Sequence, residues 1–157
     1  MKTNDGGRRE EQKRMNCRIV DGADQMAMED IARLLKMTYW ADHRPAETIV
    51  KSVSNSSCYG IYADGNPRLA GFARVISDYA TAYYLCDVII DPAYQHRGLG
   101  TALVSHIVSL PDFSGLRGFL ITRDAHALYR KFGFETADGR IMVRSPGASN
   151  SETERTE

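Results

Sequence analysis

One stretch of the sequence decides the fold, and it runs Val88-Ile89-Ile90-Asp91-Pro92-Ala93-Tyr94-Gln95-His96-Arg97-Gly98-Leu99-Gly100-Thr101-Ala102-Leu103. An apolar segment typical of a buried strand ends at a proline-marked turn, and a glycine loop then opens an amphipathic helix. Glycine at 98 and 100 permits a sharp turn and a close approach to a ligand. The free amides of a helix N-terminus lie at the positive end of its dipole, so this loop predicts a phosphate site.

Other interpretations of the glycine loop are weaker. The P-loop of nucleotide-binding proteins needs a lysine followed by serine or threonine after its last glycine, whereas Gly100 is followed by Thr101 and Ala102. A dinucleotide-binding loop needs a third glycine at the position of Leu103. The remaining alternative is that the two glycines only form a tight turn.

The hydrophobic pattern on both sides of this stretch alternates between strand-like and helix-like segments. Strands are predicted over residues 17–20, 58–63, 68–77, 81–90 and 116–122, with one or two closing strands over 134–143 around an Asp-Gly turn. Helices are predicted over 24–39, 45–53, 101–110 and 125–132. Because the strands near residues 88 and 119 are joined through a helix, we expect them to be parallel neighbours. The fold class is a single mixed α/β domain with helices on both faces of the sheet.

Charge and end composition limit the classes of partner. The 20 lysine and arginine residues balance 20 aspartate and glutamate residues, so the formal net charge is zero. This balance argues against a nucleic-acid binder that works through bulk positive charge. Residues 1–16 and 145–157 are poor in apolar side chains, and we expect them to be disordered tails around a domain over 17–144.

Cysteine and apolar content indicate the compartment. Cys17, Cys58 and Cys86 are odd in number and widely spaced, which fits reduced thiols in a cytoplasmic protein. No Cys/His spacing suggests a metal site. The sequence lacks a long apolar run or a secretory h-region, so neither a membrane span nor a signal peptide is expected.

Two motifs in order resemble the GCN5-related N-acetyltransferase (GNAT) superfamily. The segment 95–100 matches its Q/R-x-x-G-x-G/A signature, and Leu128-Tyr129-Arg130-Lys131-Phe132-Gly133-Phe134 resembles its late L-Y-x-x-x-G-F segment. The resemblance covers roughly residues 17–144. It implies the GNAT-like sheet, largely antiparallel and splayed between two central parallel strands, and transfer of an acetyl group from acetyl-coenzyme A (acetyl-CoA) to a primary amine.

The resemblance also implies which residues bind the cosubstrate. The pyrophosphate would lie on the loop amides of Arg97, Gly98, Leu99, Gly100 and Thr101, with Gln95 and His96 leading into the loop. The strand Val88, Ile89, Ile90 would pair with the pantetheine arm like an added strand, and the amide near Ile89 would polarise the thioester carbonyl. Asp124 stands where many members have an asparagine that contacts the arm, and a helix cap is its alternative role.

Two residues are the candidate catalytic groups. Tyr129 matches the tyrosine that many members use to protonate the departing thiolate, and a core aromatic is the alternative. Asp87 is the leading candidate for the general base, because relatives often carry an acid here and an isolated acid in a strand is costly to bury. A structural hydrogen bond or salt bridge is its equal alternative. Acyl transfer through Cys86 is disfavoured, since no histidine neighbours it in sequence.

The acceptor is not identified by the sequence. The stretch 38–45 holds Tyr39 and Trp40 where relatives build the acceptor pocket, and it suits an acceptor with an acidic or planar part; packing over the sheet is the alternative. A small molecule or a peptide amine is expected as partner, and a homodimer stays open. Two further functions are open: a catalytically silent CoA-binding sensor or partner-binding module on the same fold, and a purely structural domain.

Overall fold

The computed structural model describes residues 15–147. Its strands are β1 Cys17–Asp21, β2 Ser57–Ala63, β3 Leu69–Ser77, β4 Ala82–Ile90 and β5 Arg117–Phe119. Its helices are α1 Met28–Lys36, α2 Ala46–Ser54, α3 Leu99–Ser109, α4 Pro111–Ser114 and α5 His126–Arg130. The predicted tails therefore lie mostly outside the described residues.

The five strands form one sheet in the order β1-β2-β3-β4-β5. The first three pairings are antiparallel, and β4 pairs with β5 in parallel. The predicted parallel neighbours are confirmed, and so is the mixed α/β class. The parallel pair lies at the sheet edge in the described residues, with β5 outermost, rather than at the centre.

An apolar layer covers each face of the sheet. On one face Ile31 and Leu34 of α1 and Ile49 of α2 form a buried apolar cluster with Phe72 of β3. On the other face α3, α4 and α5 pack against the inward side chains of β3 and β4, and this layer includes Leu103, Ile107, Phe113 and Leu85. Helices on both faces were predicted and are confirmed.

The first helix is shorter than predicted at both ends. Residues Ala23–Gln25 form a separate 3-10 turn, after which Met26 and Ala27 are extended. At the C-terminal end the Thr38 hydroxyl donates to Leu35 O at 2.7 Å and accepts from the Ala41 amide at 3.2 Å. A side chain that satisfies nearby backbone groups in this way competes with the helix, which explains the early stop.

The closing strands predicted over 134–143 are wrong within the described residues. Gly139 has a φ of +60°, so the Asp-Gly bend is present, but its flanks join no ladder. The apolar residues there are consecutive rather than alternating, and Ile141, Met142 and Val143 are exposed. A strand without period-two alternation has no single buried face to hold its register.

The parallel pair is short, and this opens the sheet. Only Ala82–Tyr84 of β4 pairs with Arg117–Phe119 of β5, whereas β4 continues to Ile90 and the predicted strand over 116–122 stops at Phe119. Within the described part of the chain, residues 85–90 therefore have no paired strand on their β5 side, and we call this gap in the sheet the β4–β5 cleft. Among residues 15–147, no helix is long and apolar enough to cross a membrane.

Candidate active site

The glycine loop places the N-terminal amides of α3 at one end of the β4–β5 cleft. Gly98 precedes α3 with a φ of +84°, a conformation that favours glycine. The first intrahelical bond runs from the Ala102 amide to Gly98 O at 3.0 Å. The amides of Leu99, Gly100 and Thr101 thus have no partner inside the helix, and a Cβ on Gly98 would meet nothing within 4 Å. The loop can accept an anion.

Hydrogen bonds to the sheet and to α1 fix the start of this loop. The Asp91 carboxylate accepts from the Ala93 amide at 3.0 Å and from Arg33 Nη1 at 2.6 Å. Gln95 Nε2 donates to Ile90 O at 3.1 Å. Burial acts to raise the pKa of Asp91, but the bonds from Ala93 and Arg33 outweigh it and hold that pKa below its usual value.

A bulge in β4 sets which peptide groups face the cleft. Phe72 pairs with Ile89 and Arg74 with Cys86, so one residue of β3 faces two of β4, and Asp87 has a φ of +51°. The Asp91 amide donates to Ala70 O on β3 at 2.8 Å.

Peptide groups alternate in direction along a strand, and this alternation shows which of the neighbouring groups on β4 face β3 and which face the cleft. Because Asp91 bonds to β3, the peptide of Ile89 also faces β3, and those of Val88 and Ile90 face the cleft. A Cβ on Gly71 of β3 would lie 2.8 Å from Ile89 O, and so short a distance agrees with an Ile89 carbonyl group that faces β3. That the amide near Ile89 polarises the thioester stays a prediction, and Val88 and Ile90 are the neighbours whose peptide groups face the cleft.

Helix α5 closes the other side of the cleft. A Cβ on Gly100 would lie 3.5 Å from Ile90 Cγ1 and 3.9 Å from Leu128 Cδ2, so α3, β4 and α5 approach one another here. Tyr129 on α5 is 9% exposed and packs edge-on against Phe134, with ring centroids 6.1 Å apart. Burial, with a smaller contribution from Asp124, raises the pKa of Tyr129 to about 12.

Asp124 does not cap α5. The residue at the cap position is Ala125, and its amide donates to Thr122 Oγ1 at 3.0 Å. The Asp124 side chain is 72% exposed and lies 3.8 Å from Arg123 Nη2. The capping alternative is wrong, and the predicted contact of Asp124 with the pantetheine arm stays a prediction.

Asp87 is buried in a network of three donors. Its Oδ2 accepts from Arg44 Nη1 at 2.7 Å and from Arg74 Nε at 3.0 Å, and its Oδ1 accepts from Trp40 Nε1 at 3.2 Å. Burial acts to raise the pKa of Asp87, but Arg44 and Arg74 outweigh it and hold that pKa below its usual value. Of the two roles predicted for Asp87, the structure contains the salt bridge.

Sequence analysis missed the partners of Asp87. Arg74 lies in the apolar run of β3, and Arg44 and Trp40 lie in the segment between α1 and α2. The sequence contained one signal for the pair: a single arginine and a single aspartate occur in two adjacent apolar strands. Burying either charge alone is costly, so such residues are expected to pair with each other.

Two aromatic side chains, Tyr39 and Trp40, lie on the side of the sheet that carries the Asp87 network. The Arg123 guanidinium lies 3.9 Å from the Tyr39 ring centroid, and Tyr39 and Trp40 meet edge-on at 5.0 Å. Tyr39 is 54% exposed and Trp40 38% exposed, so neither is simply packed over the sheet. The segment between α1 and α2 therefore contacts the loop before α5 and, through Trp40, the β4 bulge.

Cys86 is a poor nucleophile in this setting. Burial, more than any neighbouring charge, raises the pKa of the Cys86 thiol to about 11, which disfavours the thiolate needed for acyl transfer. Within residues 15–147, no group of three or more His, Cys, Asp or Glu side chains could hold a metal ion.

Comparisons with known proteins identify the family. A profile of the Acetyltransferase (GNAT) family matches residues 26–134. A solved GNAT-family protein from Xanthomonas campestris pv. campestris is 36% identical, with a TM-score of 0.76 over 83% of this chain and 93% of that one. A CoA complex of an aminoglycoside N-acetyltransferase shares the fold at 16% identity, with a TM-score of 0.65 over 84% of this chain and 96% of the other.

The curated relatives are longer than the matched segment. Histone acetyltransferase TAP1 of Glycine max is 28% identical over 129 residues, which are 74% of this chain and 55% of the relative. This chain spans between 31% and 55% of the length of three such relatives. The family profile and the Xanthomonas structure both extend over most of the described chain. The chain therefore belongs to the GNAT family of acetyltransferases.

Proposed function

We propose that this protein transfers the acetyl group of acetyl-CoA to a primary amine by direct attack. The observation that carries the proposal is that α3, β4 and α5 meet where Gly100 approaches Ile90 and Leu128. Three features are thereby brought together: the α3 N-terminal amides, the edge of β4 beyond its pairing with β5, and the helix that carries Tyr129. Each feature suits a different part of an acyl-CoA thioester.

The residues present fit acetyl-CoA as a cosubstrate. The amides of Leu99, Gly100 and Thr101 suit its pyrophosphate, with Arg97 and the remaining loop residues Gln95, His96 and Gly98 beside them. The edge of β4 from residue 85 to 90 suits the amide-containing arm, which would bond to it like an added strand. When bound, acetyl-CoA supplies an activated acyl carbon at the β4 bulge.

Tyr129 suits the proton donor of the transfer. The amine nitrogen attacks the thioester carbon, the carbon–sulfur bond breaks, and the departing sulfur takes the Tyr129 proton. A peptide N–H of Val88 or Ile90 would donate to the carbonyl oxygen as negative charge develops there. The amine attacks in its neutral form, and its nitrogen then releases one proton to solvent. The Tyr129 phenolate takes one proton from solvent, which restores the acid and balances the reaction.

Asp87 is better suited to anchoring than to proton abstraction. Its carboxylate already accepts three hydrogen bonds and its pKa lies below the usual value, so it binds a further proton weakly. We propose that solvent takes the amine proton and that Asp87 holds Arg44 and Trp40 at the bulge.

Two measurements test the proposed function. Isothermal titration should give saturable binding of acetyl-CoA, and thiol release should occur with members of an amine library. Binding without thiol release from any amine would favour the silent CoA-binding module. Absence of binding at millimolar acetyl-CoA would leave only a structural domain.

Gly100→Ala should separate cosubstrate binding from folding. Alanine is the better helix former by about 0.5–1 kcal/mol, and its Cβ makes only ordinary contacts with Ile90 and Leu128. The melting temperature should therefore not fall. We expect acetyl-CoA binding to weaken about tenfold, roughly 1.4 kcal/mol, because the methyl group narrows the cleft between β4 and α5.

The matched control for that variant is Gly115→Ala. A Cβ on Gly115 meets nothing within 4 Å, and Gly115 follows α4, away from the glycine loop. Its acetyl-CoA affinity should equal that of the wild type. Equal affinity for Gly100→Ala as well would contradict the placement of the arm beside Gly100.

A further inference from the structure

The cluster around Asp87 carries more positive than negative charge. Arg44 and Arg74 both bind the one Asp87 carboxylate, and their side chains are only 24% and 10% exposed. Within residues 15–147, Asp87 is the only carboxylate in a salt bridge with either arginine. One guanidinium charge is thus uncompensated in a largely buried place, where an unpaired charge is costly.

The cluster borders the point proposed for acyl transfer. Asp87 lies in the β4 bulge and directly precedes Val88, whose peptide group strand alternation directs toward the β4–β5 cleft. Arg74 is opposite Cys86 on the neighbouring strand and bonds to Ser56 Oγ at 2.9 Å. Arg44 is the more exposed of the two guanidiniums and has one hydrogen bond to Asp87, so its other N–H groups are the ones best placed for a ligand.

We propose that the acceptor is an amino-acid-like amine, in which a carboxylate lies within a few bonds of the reacting nitrogen. This inference rests on the proposed function, since it places the nitrogen at the β4 bulge. The acceptor carboxylate would receive charge-assisted hydrogen bonds from Arg44 and balance the excess charge. The half-exposed rings of Tyr39 and Trp40 border the same site and suit an apolar or planar side chain.

The test compares each proteinogenic L-amino acid with the amine that its decarboxylation would give, for example L-phenylalanine with phenethylamine. Thiol release gives kcat/KM for each pair, and titration into the CoA-saturated protein gives affinity without turnover. The preferred amino acid should exceed its decarboxylated partner about tenfold or more in both measurements.

Arg44→Gln should abolish most of that preference, because it removes the excess charge and leaves Arg74 paired with Asp87. Arg18→Gln is the matched control, since it deletes one positive charge from β1 at the opposite edge of the sheet. The preference should survive in that variant.

The outcomes are distinguishable. Equal use or equal binding of both members of every pair would overturn the inference while leaving acetyl transfer intact. Preferential binding of the amino acids without thiol release would uphold the anionic site and contradict the proposed transfer activity. Preference that is unchanged in Arg44→Gln would also overturn the assignment of the site to Arg44.

Discussion

Tyr129→Phe is expected to lower kcat by about 100-fold or more while acetyl-CoA affinity changes little. The substitution removes one hydroxyl from a 9% exposed side chain and keeps the ring that packs against Phe134. The proton for the departing sulfur would then have to come from water instead of from a donor held in position by the fold.

The pKa values of this region explain why a tyrosine can serve as the acid. Burial raises the pKa of Tyr129 to about 12, so the phenol is protonated at neutral pH. An ordinary thiol is about 3.5 pKa units more acidic than that phenol, so the proton transfer is uphill for a thiolate that is fully hydrated. Loss of water around a leaving thiolate disfavours its charged form and makes it a stronger base, which favours the transfer.

Tyr59→Phe is the matched control for that experiment. Tyr59 is 5% exposed, burial raises its pKa to about 12, and it lies on β2 away from the β4–β5 cleft. Single-turnover measurements at saturating acetyl-CoA should show the loss of rate in Tyr129→Phe only. Equal rates in both variants and the wild type would exclude Tyr129 as the acid.

The sequence predicted best the features that depend on neighbouring residues. Local backbone preferences predicted three features that the structure contains: the turn at Asp91-Pro92, the tight turn at Gly98 and the start of α3 close behind it. The mixed sheet followed from chain order and from the rule for parallel connections.

Features that depend on distant residues were not predictable in the same way. Asp87 is 13 residues from Arg74 and 43 from Arg44, so only the folded sheet brings them together. The choice between base and salt bridge for Asp87 therefore needed the structure. The closing strands failed for the opposite reason: a local Asp-Gly bend was present, but Ile141, Met142 and Val143 have no alternation to select a partner.

Asp87→Asn is expected to destabilise the fold by about 3 kcal/mol or more at pH 7. The amide is nearly the same shape, but it leaves Arg44 and Arg74 largely buried without a counter-charge. Urea unfolding measures the loss. Asp42→Asn is the control, because Asp42 is 57% exposed and pairs with His43 at the surface, where an ion pair contributes about 0–1 kcal/mol.

The pH dependence and a second substitution distinguish an anchor from a base. The folded-state pKa of Asp87 is lowered, so its stabilisation is full above the unfolded value of about 3.9 and is lost as pH falls through the folded value. The acid-induced loss of stability should be smaller in Asp87→Asn. Adding Arg44→Gln should recover part of the stability, since it removes one of the two uncompensated charges. A base without a charge-balancing role would instead give a variant of wild-type stability that has lost the acidic limb of its pH–rate profile, and that result would contradict the anchor.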